Sequence, residues 1–243
     1  MNRFLTPRAR RGACYLLAMV LVGVSPNAFG DGSSPVDLAR EHMRRGQIAL
    51  ESGKLGEACF QFKSATLVLP NWWVPHQEHL RCARILGEDP ETLVAQATRI
   101  LSIDNARPTL HFIRGILLED LERNQEALEA YERALELAPW MSEVTIRQGR
   151  MLIAEGQWQA ALNVCNRAIS KRPDDVLLLN QLATIYEKMG ETRLLIPVLE
   201  KLVPLSNVPT QPLARLAKAY RRIGNEQKRA EVIQALERKT KRP

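Results

Sequence analysis

Small and apolar residues return along this chain in a fixed order. A glycine is followed after twelve residues by an alanine, four further by an aromatic or apolar residue, three beyond that by an alanine, and five later by a proline. The order is complete at Gly46, Ala58, Phe62, Ala65 and Pro70, at Gly115, Ala127, Tyr131, Ala134 and Pro139, and at Gly149, Ala161, Cys165, Ala168 and Pro173. The second and third copies start 34 residues apart, and the first two start 69 apart, which leaves room for one degenerate copy and a single extra residue. Steps of three and four place these residues on one face of a helix. A period of 34 holds two helices and their turns, so the pattern predicts stacked helix pairs.

Close packing accounts for the residue types. Gly46, Gly115 and Gly149 let a second helix cross near the first, and Ala58, Ala127 and Ala161 are read as the reciprocal small contacts. Gly53, Gly156, Gly190 and Gly224 fall where the chain must turn, and a left-handed or tight conformation favours glycine. Pro70, Pro139 and Pro173 are expected to end the second helices, because an interior proline costs about 3 kcal/mol. Ser34 fits a helix N-cap with Pro35 in the first helical position. No alternating strand pattern extends beyond a few residues.

With these residues in view, the sequence resembles the tetratricopeptide repeat family. The stretch from Gly115 to Pro139 is similar to a consensus copy, Tyr186 and Tyr220 resemble the family's first-helix tyrosine, and Trp158 its second-helix entry aromatic. The resemblance implies an all-α, right-handed α-solenoid of about six helix-turn-helix repeats, near 39–72, 73–107, 108–141, 142–175, 176–209 and 210–243. Repeats two, five and six are less regular; Leu195, Leu199 and Leu202 stand in place of the small-aromatic-small triplet.

The resemblance also implies a groove lined by first helices, in which a partner is held. Carried over position by position, the stripe comprises Arg40, Met43, Gln47 and Leu50 from repeat one, Gln77, Arg81 and Arg84 from two, Phe112, Ile116 and Glu119 from three, Ile146, Arg150 and Ile153 from four, Asn180, Thr184 and Glu187 from five, and Ala214, Lys218 and Arg221 from six. The expected partner contacts among them are Met43, Gln47, Arg81, Arg84, Phe112, Ile116, Ile146, Arg150, Ile153, Asn180, Lys218 and Arg221. Its centre, Phe112, Ile116 and Ile146, is expected to be an exposed apolar strip with basic or polar flanks. The Lys and Asn pair by which chaperone-binding members hold a terminal carboxylate is absent from these positions.

Residues 1–30 break the pattern. Arg3, Arg8, Arg10 and Arg11 precede an uncharged apolar run from Ala13 to Val24, and Ala28 to Gly30 supply small residues before Asp31, the layout of a cleavable secretory signal peptide. The run is shorter than the roughly 20 residues needed to span a bilayer; a retained anchor is the alternative reading. A polar linker, 31–38, would then lead into the solenoid at 39–243. Periplasmic or secreted localisation is expected after cleavage, with membrane association through partners as a further expectation.

Export changes the meaning of charge. The formal net charge of +7 falls to +3 once the leader's four arginines are taken from 34 basic residues and set against 27 acidic ones, so basicity gives little support to nucleic-acid binding and none is expected. From Leu213 onward, ten basic residues face Glu226, Glu231 and Glu237. That end reads either as a solvated cap or as a contact for an anionic lipid or glycan.

The expected activity is therefore non-enzymatic: a scaffold for protein partners in the cell envelope. Alternatives are an assembly factor, similar to pilus-assembly pilotins, for a secretin, pilus, motility or polysaccharide-export complex, and a glycan-binding or enzyme-accessory module. No phosphate loop, nucleophile elbow or Cys-x-x-Cys pair is present, and no cofactor is expected. His76, His79 and Cys82, with Cys59, could present metal ligands but are read as a packing face, so no metal is expected either. The repeat register makes Cys59 and Cys82 neighbours across one inter-repeat interface, with a disulfide or two free thiols as the alternatives. Cys165, in the slot of a buried aromatic, is expected to be an inert core thiol.

Overall fold

A computed structural model describes residues 34–240. The leader with its cleavage point, and Lys241 and Arg242 of the basic end, lie outside the described residues. Within them are twelve helices and no strand: α1 Pro35–Glu51, α2 Leu55–Val68, α3 Trp73–Ile85, α4 Pro90–Ile103, α5 Pro108–Asp120, α6 Asn124–Leu137, α7 Ser142–Ala154, α8 Trp158–Ile169, α9 Val176–Met189, α10 Thr192–Leu205, α11 Thr210–Arg222 and α12 Glu226–Thr240. The architecture is an all-α solenoid of paired helices. None of these helices is long and apolar enough to cross a membrane.

Local signals set the helix ends. Ser34 caps α1: its hydroxyl accepts from the Asp37 N–H at 3.2 Å, and the Asp37 carboxylate accepts from the Ser34 N–H at 3.1 Å. The helix starts at Pro35, so it takes in part of the stretch expected as linker. Asp89 and Asp175 cap α4 and α9 one-sidedly, their carboxylates accepting from the Thr92 N–H and from the Leu177 and Leu178 N–H groups. The turn between paired helices needs a residue with φ near +70°, and Gly53, Gly87, Gly156, Gly190 and Gly224 supply it. Gly87 was not singled out by the sequence pattern, whereas the third repeat fills the same slot with Glu122, at φ 58°. Proline ends α2 and α6 as expected, yet α10 carries Pro197 and Pro204 inside it. An interior proline has no N–H to give to the carbonyl four residues back.

The described residues divide into two compact units, 34–127 and 128–240. In the first, α1 packs on α2, α2 on α3, α3 on both α4 and α5, and α4 on α5. Phe62, Leu80, Leu93, Leu110, Leu117 and Leu118 are wholly buried. In the second, first helices of successive repeats again touch, α7 on α9, and each pairs with its own second helix. A leucine core joins Leu179 and Ala183 of α9, Leu195, Leu199 and Leu202 of α10, and Leu216, Ala219 and Tyr220 of α11. The three leucines that depart from the small-aromatic-small triplet thus fill the core with aliphatic volume instead.

Candidate partner-binding site

The site is clearest in the second unit. Helix α7 buries Val144, Thr145, Gln148, Gly149 and Leu152, which leaves Ile146, Arg150 and Ile153, spaced four and three, on another face. Helix α9 buries Leu178, Leu179, Gln181, Leu182, Ala183 and Ile185, and Leu177, Asn180 and Thr184 repeat the three-and-four spacing on its open face. Because α7 and α9 are in contact, these faces meet along a hollow of ≈ 270 Å³ lined by Ile146, Arg150, Ile153, Leu177, Asn180, Gln181 and Thr184. Five residues of the expected stripe, Ile146, Arg150, Ile153, Asn180 and Thr184, therefore lie side by side.

The floor of the hollow is built by Gln181. Its amide Nε2 donates to the Ile146 carbonyl at 2.8 Å, tying α9 to α7, while its Oε1 is buried without a hydrogen-bond partner. Gly149 leaves the Gln181 amide its place: a Cβ there would stand 2.2 Å from Gln181 Nε2 and force that amide to shift. The expected partner of Gly149, Ala161 on α8, is buried, but the tight approach comes from the next repeat's first helix.

Arg215 of α11 bonds to two of the lining residues, Asn180 and Thr184. Its guanidinium donates to Glu187 Oε1 at 2.9 Å, Asn180 Oδ1 at 3.3 Å and Thr184 Oγ1 at 3.4 Å. The stripe placed Ala214 at this position and missed Arg215, since no spacing rule links a residue on α11 to three on α9. Leu177, 62% exposed, was missed too, although it stands one helical turn before Asn180 and the same periodicity reaches it. Behind the hollow, Asp175 accepts from Ser142 Oγ at 2.7 Å and from the Leu177 and Leu178 N–H groups. Burial acts to raise the Asp175 carboxyl; the bonds from Ser142, Leu178 and Leu177 and the charge of Arg172 outweigh it and hold it below the usual range.

In the first unit the stripe fares differently. Met43 is half-buried and Gln47 is exposed. Arg81 lies 3.8 Å from Glu78, and Arg84 is committed to Asp120, with Nη2 to Oδ1 at 2.8 Å. Phe112 is 8% exposed and belongs to the core, so the strip expected from Phe112, Ile116 and Ile146 is not an exposed surface at Phe112; Ile116 and Ile146 are half-buried. The cause lies in α5, which buries Leu110, His111, Phe112, Ile113, Gly115, Leu117 and Leu118 and so has apolar contact nearly all round. Lys218 and Arg221 are exposed on α11. Helix α12, last of the described elements, has no fully buried residue.

Cys59, Cys82 and Cys165 are buried free thiols, so the structure carries no Cys59–Cys82 bridge. Burial, then the nearby Cys59, pushes the Cys82 thiol up to about 11, and burial pushes Cys165 up to about 12, as suits an inert core group. Of the candidate metal ligands, His76 is held by the Pro70 carbonyl at 2.9 Å, whereas His79 is 3% exposed with Nε2 unpartnered.

Comparison with known proteins agrees with this architecture. The tetratricopeptide repeat family model matches residues 118–182. Anaphase-promoting complex subunit 7 of Dictyostelium discoideum is 26% identical over 146 residues, 60% of this chain, which spans only 25% of that relative. Among solved structures, PilF of Pseudomonas aeruginosa superposes with a TM-score of 0.68 at 14% identity, over 85% of this chain and 93% of its own. YrrB, described as a tetratricopeptide-repeat protein with an unusual peptide-binding site, gives 0.58 at 17% identity, over 71% of this chain and 89% of its own. These identities speak for the fold alone. Taken with the repeat spacing and the paired helices, they agree on a tetratricopeptide-repeat fold, and the family model itself matches residues 118–182.

Proposed function

We propose that this is an exported, non-enzymatic scaffold that takes a short peptide, a helix or a disordered segment of a protein partner into the hollow between α7 and α9. The observation that carries the reading is the hollow itself: Ile146, Ile153 and Leu177 offer apolar surface, Arg150 supplies steering charge, and Gln181 braces the floor. A peptide-binding site is also what the description of YrrB names for that protein. Export rests on the leader, with a mature chain beginning at Asp31 in the periplasm or outside the cell.

The test is capture of partners from an envelope extract by wild-type protein and by Ile146→Asp with Ile153→Asp. Placing carboxylates in the hollow should weaken capture of the bound species at least tenfold while far-UV dichroism stays unchanged. Undiminished capture would refute the hollow as the site. Loss on Lys218→Glu with Arg221→Glu instead would move recognition to the basic end and favour an anionic lipid or glycan. N-terminal sequencing of envelope protein that returned Met1 would refute cleavage.

A second reading, an assembly factor for an envelope secretin, pilus, motility or polysaccharide-export complex, draws on the extent of the fold overlap with PilF. It differs from the first in the partner: capture should yield one stoichiometric envelope component in place of a family of peptides.

A further inference from the structure

In the first unit, three residues of different origin converge. Cys59 comes from α2, His79 from α3, and Glu88 from the turn that follows α3. Their ligand atoms all lie within 4.8 Å of one another. The turn that brings Glu88 back is fixed by Gly87 at φ 78°, with the Glu88 N–H donating to the Ala83 carbonyl at 3.0 Å. Cys59 and His79 are 5% and 3% exposed, and Nε2 of His79 has no hydrogen-bond partner although it is buried. A buried imidazole nitrogen left unsatisfied is costly, and it calls for a ligand.

We infer that Cys59, His79 and Glu88 form a binding site for a borderline-soft divalent cation of the zinc class. A thiolate, an imidazole and a carboxylate are the three protein donors that zinc takes, and tetrahedral bonds of 2.0 to 2.3 Å set donors about 3.5 Å apart, so closing the site needs movements of only about 1 Å. The charges balance: Cys59 releases its proton on binding, the carboxylate of Glu88 brings the second negative charge, and neutral His79 contributes a lone pair, so the dication is neutralised. Three protein donors leave a fourth position open. Since α2 belongs to the first repeat and α3 with its turn to the second, the bound ion clips two repeats together.

The experiment uses protein purified from the envelope with its native N-terminus, reduced and stripped of metal. Titration with Co²⁺ should give a thiolate-to-metal charge-transfer band that saturates at one equivalent and is bleached by one equivalent of Zn²⁺. Cys59→Ser should remove the band. Glu88→Gln, whose side chain is not in the core, should weaken Co²⁺ and Zn²⁺ at least tenfold with unchanged far-UV dichroism, and so decides the matter even where Cys59→Ser fails to fold. Absence of a thiolate band at one equivalent, equal affinity in Glu88→Gln, or loss of the band on Cys82→Ser but not on Cys59→Ser would overturn the site.

Discussion

Gly46 and Gly149 occupy the same slot in their repeats, and what fills the space beside each is different. A Cβ at Gly46 would lie 2.5 Å from Phe62 Cε1, on the second helix of the same repeat. At Gly149 the neighbour is Gln181, from the first helix of the following repeat, at 2.2 Å. The first arrangement packs a rigid ring into its own helix pair; the second ties two repeats together through a polar side chain and leaves an open hollow above it. A small residue thus licenses a close approach without naming which neighbour makes it.

The sharpest break of this contrast is Gly46→Val. Phe62 is wholly buried and its ring has nowhere to turn, so overpacking should cost about 3 kcal/mol and lower the thermal midpoint by roughly 6 to 10 °C. Adding Phe62→Leu should recover part of the loss in calorimetry; no recovery would mean that the ring is not the obstacle.

Gly149→Ala should behave otherwise. Displacing the Gln181 amide forfeits its bond to Ile146, about 1 kcal/mol, while alanine returns about 1 kcal/mol of helix propensity. Stability should stay within about 1 kcal/mol of wild type, whereas partner capture falls because the floor of the hollow has moved. A large drop in urea midpoint with intact capture would show that Gln181 matters for the fold and not for the site.

Acid should loosen the second unit through Asp175. Its folded pKa lies below the unfolded value, so its contribution is present above the unfolded carboxylate range and is lost as pH falls through the folded pKa. Urea stability should be level above about pH 5 and decline below about pH 4. Asp175→Asn, which cannot lose a charge, should flatten that decline.

The smallest effect is a gain. Glu122 holds a left-handed conformation that glycine holds in every other described inter-helix turn of this kind, so Glu122→Gly should raise stability by about 0.5 to 1 kcal/mol, read as a midpoint shift of a few degrees. A decrease would mean that the Glu122 side chain carries a compensating contact.

The order of small residues, turn glycines and terminal prolines pointed to helix pairs at a period of 34, because each is a local property of backbone conformation and helical spacing. First helices start at Trp73, Pro108, Ser142, Val176 and Thr210, and the earliest at Pro35, not near Ala39. Matching positions to the family's repeat named Ile146, Arg150, Ile153, Asn180 and Thr184, which the structure brings to one hollow. It could not reach Arg215, since the three groups that bind it stand on another helix. Nor could it foresee that Phe112 is core, which depends on how completely neighbours enclose α5, or that Glu88, and not His76, joins Cys59 and His79. Positions along one helix follow from the chain's own geometry, whereas contacts between helices follow from how side-chain volumes fit together. That fit is a property of the packed assembly, and only the tertiary structure decided it.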